Sequence, residues 1–137
     1  MDDQTIRLVW FGMMLLHGLG HGGALAALAW LAARPGADTG AWTEARSWLF
    51  PSLHPQTALV VASGYWAVAL VGFVSAAMMF WFGIGDWEPV AIVSALVSLA
   101  GLMAFFGTWP LFNAIAALAV NAIVLGALVL LGWAPPA

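Results

Sequence analysis

Apolar positions fill this chain in four long stretches, and the few polar, proline and glycine positions between them mark where each stretch stops. The first runs from about Leu8 to Leu31 and ends before Arg34-Pro35-Gly36. The second follows His54-Pro55, runs from about Thr57 to Phe82, and is broken by Gly83-Ile84-Gly85-Asp86. The third runs from about Trp87 to Phe106. Gly107-Thr108-Trp109-Pro110 then turns the chain into the fourth, from about Leu111 to Leu131. Each stretch meets the roughly 20 residues a helix needs to cross a bilayer, and the first two are long enough to tilt or protrude. The pattern predicts an all-α, polytopic integral membrane protein. Residues 1–137 form one domain, a four-transmembrane-helix bundle with spans at about 8–31, 57–82, 87–106 and 111–131.

The loop over 34–55 carries its own pattern. Over 41–50, Trp42, Ala45 and Leu49 share one helical face while Glu44 and Arg46 reach towards headgroups, which predicts a short interfacial helix. An irregular loop pinned by its tryptophans fits the same residues. Tryptophan placement supports the four spans independently. Trp10, Trp81, Trp87 and Trp133 fall at one membrane face, and Trp30, Trp42, Trp48 and Trp109 at the other, as aromatic belts require. Only Trp66 lies within a span.

Composition sharpens the class. Hydrophobic residues make up 64% of the chain and charged residues 7%, against the roughly 25% charged residues of a soluble domain. Too little polar surface exists to coat a body in water, so the exterior faces lipid. No basic run exists, which argues against nucleic acid as a partner. The chain has no Cys, hence no disulfide, thiolate metal site, iron–sulfur cluster or c-type haem attachment. It has no Lys either, so a Schiff base to retinal or pyridoxal is excluded. The carboxylates Asp2, Asp3, Asp38, Glu44, Asp86 and Glu88 all lie at the amino terminus or in loops. A buried carboxylate relay or a di-iron carboxylate bundle is therefore disfavoured.

Orientation rests on three arginines. Arg34 and Arg46 lie on the loop 1 side and Arg7 on the other, so the positive-inside rule leans towards a cytoplasmic loop 1. Both termini then lie on the same, non-cytoplasmic side of a plasma or cytoplasmic membrane. Ala27-Leu28-Ala29 has the form of a signal cleavage site, but two aspartates open the chain and histidines interrupt the apolar run, which favours a retained span.

Small and polar residues fall on stripes that predict helix-packing faces. In span 1 these are Gly18 and Gly22, and in span 2 Tyr65, Ala69, Gly72 and Ala76. Span 3 offers Ser94, Ser98 and Gly101. Span 4 offers Asn113, Ala117 and Asn121, whose amides read as interhelical clasps. His54 reads as a cap at the start of span 2, and Asp86 as a cap for span 3.

The candidate chemistry lies in His17-Gly18-Leu19-Gly20-His21-Gly22-Gly23. At about 100° per residue, His17 and His21 share a face of span 1 with Met13, Met14, Gly20 and Ala24. His21 lies about 18 Å from the Ala33 end; Asn121 and Tyr65 lie about 16 Å and 14 Å from the same side. His17, His21, Tyr65 and Asn121 are therefore expected to meet in one ligand-binding polar layer near the midplane, with Ser98 as a fifth member.

Three readings fit that layer. Imidazoles at i and i+4 can ligate a metal ion such as zinc, iron or copper, or serve haem in an oligomer, with Met13 and Met14 as soft donors. His54 is a poor third ligand because it lies near the interface. The layer can instead bind a quinone, carotenoid, sterol or other lipid, with glycines letting a flat ring approach. Or the histidines are neutral core residues that fix helix register.

No nucleophile–base–acid set, phosphate-binding loop or His-Glu-x-x-His motif is present, which argues against an enzyme. The expectation is a small non-enzymatic helical membrane protein, a subunit of a larger membrane assembly or a homo-oligomer. Its partners are lipid and other membrane subunits or further copies of itself. A protein binding metal, haem, quinone or lipid through His17 and His21 is the alternative, and a small oligomeric channel or transporter the third.

Overall fold

The computed structural model describes residues 2–34 and 42–135. Four helices make up the fold: α1 (Asp3–Ala33), α2 (Pro55–Phe82), α3 (Trp87–Ala104) and α4 (Leu111–Leu125), the last continued by a π-turn over Gly126–Leu130. All four are long and apolar enough to cross a membrane, α4 together with its π-turn. The chain is an all-α integral membrane protein, with no strand among the described residues.

Each helix starts and stops for a local reason. Asp2 caps α1 by accepting from the Thr5 amide at 2.8 Å. The helix therefore reaches back through polar residues that apolar patterning leaves out, and at 31 residues it overhangs its neighbours. His54 caps α2 as expected: its Nδ1 accepts from the Gln56 amide, and Pro55 fills the first turn, where no amide hydrogen is needed. Gly83 ends α2 at φ 63°, and the Ile84 amide reaches back to the Met79 carbonyl. This left-handed cap strongly favours glycine. Asp86 occupies the cap position of α3 but makes no side-chain capping hydrogen bond, so its expected role is only half realised.

The interfacial helix expected over 41–50 is not formed. Ala41 lies outside the described residues, and residues 42–50 are irregular. Their donors are spent on another helix. Ser47 Oγ donates to the Ala104 carbonyl at 2.8 Å, Trp48 Nε1 to the Met103 carbonyl, and the Thr43 amide and hydroxyl to the Thr108 and Gly107 carbonyls. A helix leaves its last four carbonyls unpaired. The segment straps across the carboxyl end of α3 and satisfies two of them, and coiling it would withdraw those donors.

Around the bundle, α1 packs chiefly on α2, α2 on α3, and α3 more lightly on α4; α1 and α4 meet least. The core has two apolar halves. One, towards loop 1, gathers Ala24, Leu28, Trp66, Leu102 and Trp109. The other, towards the termini, gathers Met14, Phe73, Phe80, Trp87 and Val124. His17 and His21, Ser98 and Asn121 fall between the two halves along their own helices.

Glycines decide how closely the first three helices approach. A Cβ on Gly101 would lie 2.6 Å from the Trp66 ring and 2.8 Å from Tyr65 Cβ, and one on Gly72 would overlap Ser94 Oγ. A Cβ on Gly18 would lie 3.0–3.2 Å from Val74 and Phe73, while one on Gly22 would make only ordinary contact with Leu70. Ala76 and Ser94 are buried as packing residues, and Ser94 also donates back to the Val90 carbonyl at 2.6 Å. Asn113 departs from the expected pattern. It is exposed on α4 and clasps no helix, because the α4 face that meets the bundle is drawn by Ala114, Ala117, Asn121 and Val124.

Candidate functional site

The polar layer forms, with a membership that differs from the expectation. His17 Nε2 and Asn121 Oδ1 are 3.0 Å apart, Asn121 Nδ2 donates to Ser98 Oγ at 2.8 Å, and Ser98 Oγ and His21 Nε2 are 2.9 Å apart. One chain of hydrogen bonds thus links α1, α4 and α3 and returns to α1. Its direction follows from the donors available. An amide oxygen only accepts, so His17 Nε2–H donates to Asn121. Ser98 Oγ accepts from Asn121, and the His21 tautomer sets which partner donates in the Ser98–His21 bond.

Ser98, expected as a fifth member, is the junction of this chain, and Tyr65 is outside it. Tyr65 packs its Cβ against Gly101 and its ring 6.3 Å from Phe105. The reason is angular. The layer-facing side of α2 is held by Trp66 and Phe73, both fully buried, and Tyr65 stands about 100° round the helix from Trp66. Depth also shifts one member: Asn121 meets His17 rather than His21. Because α1 overhangs, its Ala33 end lies about 8 Å beyond the start of α4 on the helical-rise measure.

Aromatic rings enclose the histidines. The two imidazoles are 4.8 Å apart edge to face. His17 meets Phe73 at 4.5 Å, His21 stacks on Trp66 at 5.7 Å, and Trp109 meets His21 at 5.2 Å and Trp66 at 5.1 Å. Trp66 and Trp109 are the members that sequence reasoning missed. Trp66 carries a signal, as the tryptophan placed far from either end of its span. Trp109 was assigned to the interface belt, yet it turns inward and is 7% exposed.

Three of these rings hold buried nitrogen with no hydrogen-bond partner: His21 Nδ1, Trp66 Nε1 and Trp109 Nε1. The two indole nitrogens are N–H donors. The adjoining Thr108 Oγ1 is also buried without a partner.

This donor set does not resemble a metal centre. Both Nε2 atoms are already engaged by Asn121 and Ser98, and His54 caps α2 instead of joining the pair. Among the described residues no group of three or more His, Cys, Asp or Glu could hold a metal ion.

Between α1 and α4 a groove of about 370 Å³ opens beside the layer, with His17, Gly20, Trp109 and Asn113 among its lining residues. A second space, of about 380 Å³, lies under loop 1 between Leu28, Glu44, Pro55 and Leu59.

No family model, curated protein or solved structure matches this chain.

Proposed function

We propose that the chain is a non-enzymatic helical building block of the cytoplasmic membrane, working as a homo-oligomer or as a subunit of a larger assembly, with both termini outside. One observation carries this reading: α1 spends glycines on its outer surface. Of its five glycines, Gly18 and Gly22 serve contacts with α2, but a Cβ on Gly12, Gly20 or Gly23 would meet nothing within 4 Å. Each glycine inside a helix is disfavoured by roughly 1 kcal/mol relative to Ala, and within the chain these three gain nothing in return.

Gly12 and Gly23 lie eleven residues apart, within about 20° of each other around the helix. Between them stands Leu19, 53% exposed. The strip thus offers a knob between two hollows, the shape that lets helices of separate chains approach closely in lipid. A two-fold contact would set Leu19 of one copy against a hollow of the next.

Mass measurement on gently solubilised protein tests this. The native chain is expected to run well above its 14.4 kDa, and the Gly12→Leu/Gly23→Leu variant to run as a monomer with its helix content unchanged. A native chain that is monomeric in lipid nanodiscs at all protein densities, and that brings down no other membrane protein from gently solubilised membranes, would sink the reading.

A further inference from the structure

Residues lining the groove between α1 and α4 hold polar groups without partners among the described residues. Trp109 lines it, is more than nine-tenths buried, and has an indole N–H with no acceptor. Asn113 lines it too, with an exposed amide that none of the described residues engages. His17 borders it with Nε2 spent on Asn121 and only Nδ1 left. In lipid no water replaces the missing partners, so each such group is unfavourable until something binds it. The apolar part of the groove is built for a flat body. Gly20 leaves the α1 backbone bare, and Ala116 and Ala117 line the α4 wall.

An indole N–H can only donate, so the occupant must carry an acceptor and must also dissolve in hydrocarbon. We propose that this groove binds one membrane-soluble, ring-bearing molecule of the quinone class, its carbonyl oxygen accepting from Trp109 Nε1 and its ring lying over Gly20. The Asn113 amide stands at the same groove to donate to that oxygen or to a ring substituent. The volume, about 370 Å³, lies within the range of small-molecule sites. A second copy of this chain fits the groove less well. The exposed side chains beside it, Leu16, Phe112 and Ile115, carry no acceptor and would leave the indole unpaired.

The test reads the Trp109 indole directly. Protein with ¹⁵N-labelled tryptophan in nanodiscs is titrated with decyl-benzoquinone and, separately, with decylbenzene, and Trp109→Phe assigns the resonance. A saturable downfield shift of the Trp109 N–H with the quinone but not the hydrocarbon is expected. Asn113→Leu should weaken the apparent affinity by roughly tenfold, and Gly20→Leu should abolish the shift while the other indole resonances stay in place. Equal shifts with both probes, or no shift with either in protein whose other indole signals are native, would overturn the proposal. So would a Trp109 resonance that moves with protein density and not with quinone, since the groove would then be filled by a second copy.

Discussion

The two sides of α1 are joined to the bundle by different physics. Against α2, and onward to α3, backbones approach so closely that a single methyl at Gly101 has no room beside Trp66 and Tyr65. Against α4, the contact is sparse, a groove intervenes, and the hydrogen bond from His17 to Asn121 bridges the seam. Without a hydrophobic drive between helices in lipid, association rests on packing and on interhelical hydrogen bonds. This molecule uses the first on one side and leans on the second on the other. The loose side is where the polar layer and the unpaired indole lie, so fit has been given up where a site is exposed.

The largest effect is expected where packing alone holds. Gly101→Ala forces either the fully buried Trp66 ring or the α2 backbone at Tyr65 to move, and should destabilise the fold by about 1–3 kcal/mol, the usual range for overpacking. Unfolding in mixed micelles, followed by circular dichroism, measures it. A neutral result would mean that α2 and α3 slide apart freely, and the contrast between the two sides would disappear.

Next comes the polar layer. Ser98→Ala removes the hydrogen-bond partner of both Asn121 and His21 and is expected to cost about 1–2 kcal/mol, since buried groups lose their partners. Asn121→Leu should cost a similar amount. Because one chain of hydrogen bonds links them, the double variant should cost clearly less than the two singles together. Additivity within about 0.5 kcal/mol would show that Ser98 and Asn121 act independently, and the seam would then need another explanation.

Much of this architecture is legible in the residues themselves. The four spans follow from proline, glycine and charge punctuation because lipid confines charged residues and prolines to the ends of the spans and the loops between them. The midplane layer follows from His17 and His21 sharing a helical face, and Ser98 and Asn121 from depth. What depth and angle could not supply was which residues of the other helices turn towards that face. Tyr65 and Trp66 are neighbours in sequence and nearly a right angle apart in space, so choosing the polar one missed the ring that stacks on His21. The offset between the Ala33 end of α1 and the start of α4 was hidden because residue spacing within each helix does not set where a shorter helix sits along a longer one. Loop 1 misled for a related reason. Its amphipathic spacing is real, but its donors are worth more on the bare carbonyls ending α3 than in a helix of their own.

The smallest expected effect sharpens the comparison most cheaply. Asn113 lies on the loose side, exposed and without a partner among the described residues, so Asn113→Leu should leave stability within about 0.5 kcal/mol of the native chain, as surface changes usually do. The same unfolding assay checks it. An Ala-to-Leu change on the tight side has no such freedom, because the buried alanines of α2 and α3, Ala69 and Ala95 among them, have no accessible surface into which a larger side chain can turn. A substantial loss in Asn113→Leu would mean that its amide holds α1 and α4 together. The groove would then be part of the bundle's packing and not a site standing open beside it.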